Sequence, residues 1–574
     1  MSPSARWWET GERTLEAEQA WFAEAGLAFT LDRRLLEEAG VVVFRGELRF
    51  HDERCAATVI YPSAYAAGEQ PAVYAPGMPV VRHKREDGLL CLDHTVFGDA
   101  APMTGAEAVA RAEELWRLSI EDPDRLSEQE ADAPDPRADG YYLETDSIAF
   151  LFDVDVAGHN TGVVRLGATY AQPFRAALLG LAVDDPEHTE LAIADQNRLF
   201  RGDASVCGLW RRVDAPPPGP DATTVSAWAR RHHGDLVDRA IRFAGAHRQI
   251  TRTTVPALVG FVFSDEGPRK DEWHDAWVLL LIDPDGTPKL TRAASVHEGD
   301  QWTRQPQLTP LAARHVGVVG AGALGSQIAA LLARAGVGEF FLVDPDVVTP
   351  GIVVRHQLGY TDVGLAKVSA MQQAIARINP YATARGVQWR YGDVRAGNDP
   401  AAIQRIDDTV TDELVACDLI VNASVHTATE YFISAVADAH RVPVLHVAVS
   451  SGAWGARLVL QRPGRSGCLE CLALHQEQPD EASPVIPDWP EDPSHPEIIE
   501  RGCAQATFAG PGFELTDAAA AAARCAVQML LDGSGYPPAD FDMATLAFRT
   551  AGDARPTAEY SELPRHPGCE SCLG

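Results

Sequence analysis

The sequence predicts an α/β protein of several domains, the last of them a doubly wound, mostly parallel sheet. Three observations predict it. The chain has 574 residues, enough for two to four domains. From about residue 301, strand-like and helix-like runs alternate: HVGVVG, SQIAALLARAG, FFLVD, GLAKVSAMQQAIARI, CDLIVNA, TEYFISAVADAH and VPVLHVAV. That is the order of βαβ units. Finally, Gly320, Gly322 and Gly325 stand in GxGxxG spacing between the first strand and the first helix.

The elements before this region are shorter. Over residues 1–125, AATVIYP and PAVYAPGMPV read as strands broken by proline turns, and AEAVARAEELWRL reads as an amphipathic helix. Residues 126–139 are acidic, contain proline and lack periodicity, as a linker does. Residues 140–300 form an α/β middle region with strands at TDSIAFLFDVDV, TVPALVGFVF and DAWVLLLID and a proline-rich loop, VDAPPPGPDA. Cys207, His232 and His233 are lone features there and read as structural or exposed.

Composition excludes several function classes. A net charge of −32 argues against nucleic-acid binding, which needs basic surfaces. Apolar runs are too short to span a bilayer, and the polar, acidic N-terminus is no signal peptide, so the expected compartment is the cytosol. In a reducing compartment the ten cysteines point to ligands or nucleophiles before disulfides.

The glycine turn lets a phosphate approach the backbone at a helix N-terminus. Asp344 ends the next strand about twenty residues on, where a carboxylate can reach a ribose. The chain continues as VVTPGIVVRHQLGYTDVGLAKVSAM. Here residues 301–574 resemble the ThiF/HesA/MoeB and ubiquitin-activating superfamily, through the LVDxD strand end, the turn containing Arg355, and Lys367 after a glycine. The resemblance implies a Rossmann-like adenylation domain that uses ATP. Asp344 would hold the ribose, and Arg355 and Lys367 the phosphates. Arg304, in WTRQPQL, would reach the ATP of a second copy in a homodimer.

Two positions depart from the family pattern. Ile352 replaces an asparagine, and the aspartate associated with Mg²⁺ is replaced near Val425. Asp418, Asn422 and His426 are the nearby polar candidates to compensate. A catalytically degenerate scaffold is one reading of these departures.

Two CxxC pairs, Cys468 with Cys471 and Cys569 with Cys572, suit a closed tetrahedral Zn²⁺ site that ties the tail to the domain; a redox CxxC or two unrelated pairs are the alternatives. Between them runs a long acidic, proline-rich loop that ends at Cys503, where activating enzymes place a thioester cysteine. Cys503 would be the nucleophile, activated by Arg501 and a helix N-terminus. Cys525, in an alanine-rich helix, reads as a core thiol.

In residues 1–125, Cys91 within HKREDGLLCL, the strand–proline pattern before it and the helix carrying Trp116 resemble a ubiquitin-conjugating domain. The usual asparagine before the cysteine is missing; Lys84, Arg85 or a backbone N–H would have to support the oxyanion. The order of domains resembles the bacterial antiphage (CBASS) conjugation enzymes. That implies activation of a protein C-terminus, from a ubiquitin-like protein or a cGAS-like nucleotidyltransferase, then transfer from Cys503 to Cys91 and ligation to a target lysine. The alternative is a sulfur-carrier-protein adenylyltransferase with Cys91 dispensable.

Overall fold

The computed structural model describes the chain except for residues 1–6, 10–13, 66–68, 80–83, 85–87, 91, 93–102, 122–146, 153–155, 157, 173–174, 185–204, 220, 252–255, 267–272, 297, 393–399, 425, 480–482, 495–496, 499–506, 551, 554 and 574. Cys91, His83, Arg85, Val425, Arg501, Cys503 and the linker at 126–139 lie outside the described residues. Contacts gather the chain into two units, residues 1–193 with 200–296, and residues 297–574.

The first unit holds two sheets. Strands β1 (Thr30–Leu31), β2 (Val43–Phe50), β3 (Glu53–Ile60) and β4 (Ala72–Tyr74) form an antiparallel meander. Helices α1 (Leu15–Glu24), α2 (Arg33–Ala39) and α3 (Gly105–Glu121) accompany it. The apolar face of α3, with Val109, Ala112, Leu115 and Trp116, is buried in one core with Phe22, Phe44 and Leu48. A buried carboxylate, Glu18, joins α1 to this core. It accepts hydrogen bonds from the Tyr61 hydroxyl (2.6 Å), the Tyr65 hydroxyl and the Gly105 N–H (3.0 Å). Three donors satisfy carboxyl oxygens that burial alone would leave unpaired. Leu90 and Leu92, which flank Cys91, are buried in the same core. The Lys84 ammonium donates to the carbonyls of Pro76 (3.1 Å) and Met78 (2.6 Å), so it serves the loop around it.

The middle region differs from the three strands legible in its sequence. Seven strands close into a barrel: β5 (Ser147–Phe152), β6 (Thr161–Gln172), β7 (Arg175–Asp184), β8 (Ser205–Arg212), β9 (Ala257–Glu266), β10 (Trp273–Ile282) and β11 (Pro288–Val296). Parallel pairs β5–β11 and β8–β9 complete the ring. Closure depends on a close approach at Gly208, where a Cβ would sit 2.0 Å from the Leu258 carbonyl oxygen. The Trp210 and Trp277 rings, 5.5 Å apart, share a buried cluster with Leu151, Leu166 and Leu279. Helix α4 (Ala222–Thr251) covers the barrel and is capped by Asp221, which accepts from the Thr224 N–H at 2.9 Å. Cys207 lies on β8. His232 is exposed, and His233 sits at a kink of α4 between Trp228 and Phe261.

In the second unit one sheet has the order β14-β13-β12-β15-β16-β17-β20-β21. Strands β12 (His315–Val319), β13 (Glu339–Val343), β14 (Thr383–Val387), β15 (Leu419–Asn422) and β16 (Val444–Val449) run parallel. Strands β17 (Gly455–Gln461), β20 (Met543–Ala547) and β21 (Thr557–Ser561) extend it antiparallel. A separate hairpin pairs β18 (Glu497–Ile498) with β19 (Thr507–Phe508). Helices α5 (Ala323–Arg334), α6 (Lys367–Ile378), α7 (Pro400–Val415) and α8 (Thr427–His440) cross between parallel strands; α9 (Leu469–Glu477), α10 (Gly512–Leu530) and α11 (Glu570–Leu573) come after them. Both faces are apolar because both are covered. Val316, Val318, Phe340 and Leu342 pack in the cluster that contains α5, α6 and α10. Val319, Phe341 and Val343 pack in the cluster that contains α7 and α8. Cys525 is buried in α10 within the first of these cores.

His446, on β16, is fully buried in this sheet, and burial pushes its pKa down to about 4. Its Nε2–H donates to Gln461 Oε1 and its Nδ1 accepts from the Asn422 amide, each at 3.0 Å. Asn422 is held in that orientation because its Oδ1 accepts from Ser424 N–H (3.2 Å) and Oγ–H (2.8 Å). The network fits neutral imidazole alone. The unfolded chain takes a proton near pH 6.5, while the folded chain resists it to about pH 4. Stability therefore falls as pH drops through that window, and the loss from His446 is at most about 3 kcal/mol. Urea midpoints from pulse proteolysis should fall more between pH 7 and pH 5 for the wild type than for His446→Gln. Equal falls would show that His446 does not set this slope.

A nucleotide-type cleft and a four-cysteine cluster

The parallel strands end on a common edge, and the cleft lies there, with a volume of about 460 Å³. The switch point between β12 and β15 leaves a crevice at the C-terminal ends of the strands, where doubly wound sheets bind ligands. Each glycine of the turn has its own task. Gly320 has φ +88°, and a Cβ there would meet Ala423 at 2.7 Å. A Cβ on Gly325 would lie 1.8 Å from the Gly320 carbonyl oxygen, so glycine lets α5 pack onto the turn. Gly322 caps α5, and a Cβ there meets nothing within 4 Å. The open glycine is the one at the helix N-terminus, where a phosphate can approach.

Asp344 is buried at the end of β13. Its Oδ2 accepts from the Ala321 N–H and its Oδ1 from the Asp346 N–H, both at 2.8 Å. Lys367, at the start of α6, puts Nζ 2.9 Å from Asp346 Oδ2 and 3.7 Å from Asp344 Oδ1. Burial raises the Asp344 pKa, while Lys367 and the backbone donors oppose that rise. Arg355 ends a 3₁₀ helix (Pro350–Arg355) and also lines the cleft; its carbonyl accepts from the Gln327 side chain at 3.0 Å. Ile352, from the same turn, packs against the hydrophobic core as well as lining the cleft. Arg304 is exposed in the turn between two 3₁₀ helices and is not among the residues lining this cleft.

Three features of the cleft carry no motif that would announce them. His356 Nε2–H donates to the Ala321 carbonyl at 2.7 Å, and its Nδ1 accepts from the Leu358 N–H at 3.1 Å. Burial lowers its pKa to about 4, so it stays neutral and pins the glycine turn to the Arg355 segment. Its place directly after Arg355 was the available signal. The segment Trp389–Tyr391 forms a wall; Trp389 donates to Asp407 at 2.8 Å and Tyr391 bonds Thr411 at 2.6 Å. Glu430, in the first turn of α8, also faces the cleft.

The polar candidates near Val425 separate by position. Asp418 lies at the opposite end of the sheet, where it accepts from the His315 N–H (2.8 Å) and pairs with Arg314 (3.2 Å); it cannot serve the cleft. Strand β15 intervenes between it and the ligand edge. Asn422 is committed to His446 and Ser424. His426 lines the cleft and caps α8 through Nδ1.

Elsewhere in this unit, Cys468, Cys471, Cys569 and Cys572 bring their sulfurs within 4.8 Å of one another. The closest pairs are 3.6–3.8 Å apart. Disulfides are far shorter, whereas sulfurs about 2.3 Å from a tetrahedral Zn²⁺ stand about 3.8 Å apart. Cys471 also accepts from the His566 N–H at 3.3 Å. The donor set fits Zn²⁺. The long loop before Cys503 is partly pinned: Arg457 donates to the Pro487 carbonyl (2.5 Å) and stacks on Trp489 (4.9 Å).

A parallel α/β sheet with a glycine turn and an acid–lysine pair on one edge defines a domain of the Rossmann-like α/β class. Residues 300–532 match the model of the ThiF family, so the C-terminal region is a ThiF family domain. The Sinorhizobium fredii protein y4qC is 26% identical over 391 residues, 64% of this chain and 66% of that protein. The Escherichia coli sulfur carrier protein ThiS adenylyltransferase is 28% identical over 164 residues, 28% of this chain and 59% of that protein. The ATP-dependent ubiquitin transferase-like protein Cap2 of Enterobacter hormaechei is 39% identical over 83 residues, 14% of each chain. The chain thus spans under two thirds of the length of these relatives. Among solved structures, E. coli MccB with ATP aligns over 46% of this chain and 68% of its own at 16% identity, with a TM-score of 0.33. Among the described residues no helix is long and apolar enough to cross a membrane.

Proposed function

We propose that the ThiF family domain uses ATP to adenylate the C-terminal carboxylate of a protein or peptide substrate. The observation that carries this reading is the Asp344–Lys367–Asp346 arrangement beside the open Gly322 turn. Asp344 accepts from the ribose hydroxyls. Lys367 and Arg355 stabilise charge on the phosphoryl oxygens as a carboxylate oxygen attacks the α-phosphorus and pyrophosphate leaves. His356 and Gln327 position the turn and the arginine segment that surround the phosphates. The names of the similar E. coli and Enterobacter proteins, an adenylyltransferase and an ATP-dependent transferase-like protein, support the reading.

In the full reaction, the Cys503 thiolate displaces AMP to form a thioester, and Cys91 takes the acyl group by thiol exchange. A target lysine amine then displaces Cys91 to form an isopeptide bond. The acyl donor is a ubiquitin-like protein or a nucleotidyltransferase C-terminus, and the setting is bacterial antiphage defence. Arg304 completes the cleft of a second copy. In the four-cysteine cluster, Zn²⁺ holds the tail in place and takes no part in the chemistry.

The test uses full-length protein, ATP and a candidate carboxylate partner on non-reducing gels. Wild type should form a thiol-labile adduct, Cys503→Ala should form none, and Cys91→Ala should stall with the acyl group on Cys503. If neither substitution removed a reducible adduct, the relay would be wrong. A thiocarboxylate product with Cys91→Ala fully active would indicate sulfur-carrier activation in its place.

A further inference from the structure

Three carboxylates line the cleft: Asp344, Asp346 and Glu430. Lys367 is paired with the first two. Glu430 is different. It is partly buried, and among the described residues no cation or hydrogen-bond donor is paired with its side chain. Burial alone acts on it and raises its pKa to about 7. ATP brings several negative charges to the same cleft, so a lone carboxylate facing it is unfavourable unless a cation stands between them. Mg²⁺ is typically held by one or two carboxylates together with substrate phosphates and water. His426, one turn before Glu430 on the same wall, has Nδ1 engaged in capping α8 and only Nε2 left for other partners.

From this arrangement we infer that Glu430 holds the divalent cation that accompanies ATP, from the first turn of α8. This rests on the adenylation reading above. The oxygen donor suits a hard cation; Asp418, at the far end of the sheet, and Asn422, locked by His446, are excluded as its holders.

The experiment measures binding of the non-hydrolysable analogue α,β-methylene-ATP to the full chain by calorimetry, in excess Mg²⁺ and in EDTA. Wild type should bind at least about tenfold more tightly with Mg²⁺ than in EDTA, a span on the order of the changes seen when metal sites are altered. Glu430→Gln should lose most of that gain, and in EDTA it should bind at least as tightly as wild type because the repelling carboxylate is gone. Mn²⁺ electron paramagnetic resonance on the nucleotide complex should show the same loss of bound metal. Glu430→Asp should recover part of it, and unchanged thermal melting of both variants would exclude misfolding. An unaltered Mg²⁺ gain in Glu430→Gln overturns this inference alone, as does equal weakening with and without Mg²⁺, which would mark a contact to the nucleotide itself. Failure of wild type to bind the analogue under either condition overturns the adenylation reading with it.

Discussion

Lys367→Ala should lower partner-dependent ATP–pyrophosphate exchange by about a thousandfold, the scale of removing a key charge from a phosphoryl or oxyanion site. The lysine does two jobs in one place. In the free protein it neutralises Asp346 at 2.9 Å and lies 3.7 Å from buried Asp344. On the proposed adenylation reading it would also face the ATP phosphates. Without it, two carboxylates meet an anionic ligand, and nucleotide affinity should drop along with turnover. The cost to the fold is smaller than for most broken buried pairs, because Asp344 keeps two backbone donors and can take up a proton. Lys367→Arg should retain charge but lose geometry and recover exchange only in part. Exchange by Lys367→Ala within tenfold of wild type would remove Lys367 from the chemistry.

Cys471→Ser should remove one bound zinc per chain and lower the melting temperature by roughly 10 °C or more, as expected for a loss of several kcal/mol in a domain of this size. Cys471 is fully buried, lies 3.8 Å from Cys468 and 3.6 Å from Cys572, and accepts the His566 N–H. The polar neighbourhood around it is already satisfied: His475 bonds Ser483 and the Pro564 carbonyl, and His566 bonds Gln478. Loss of the metal should therefore free α11 and β21 first, which hydrogen exchange resolved by peptide can follow. Strand β21 keeps its ladder with β20, so the unit should loosen at the tail before it unfolds as a whole. Full zinc content in Cys471→Ser, or an unchanged melt after chelation, would refute a structural zinc.

The cleft's backbone was legible because glycine spacing reports backbone needs. Gly320 at φ +88° and Gly325 against a carbonyl are local demands that a pattern records. Asp344 was reachable through its distance from the turn, whereas Arg355 and Lys367 came from the family resemblance of the segment that follows it. Asp418 misled because proximity in sequence ignores strand polarity. It directly precedes β15, and the cleft is at the other end of that strand. Glu430 was missed because only the fold turns it toward the cleft, and His356 because its one signal in the chain was its place next to Arg355. The barrel was missed because closure depends on pairings such as Ser147 with Thr291, distant in sequence and carrying no local mark.

By itself the sequence determined the order of strands and helices from residue 301, the glycine turn, and which cysteines come in CxxC pairs. These are short-range properties, set by side-chain periodicity and by the backbone freedom of single residues. The tertiary structure brings together the sulfurs of the two CxxC pairs, about a hundred residues apart, that the sequence had already suggested for one site. It alone decided that Lys367 answers Asp344 and Asp346, and that Glu430, on the same cleft, has no ion partner among the described residues. The physical reason is that burial and charge pairing depend on distance in space, and the folded sheet sets those distances between residues the chain keeps far apart.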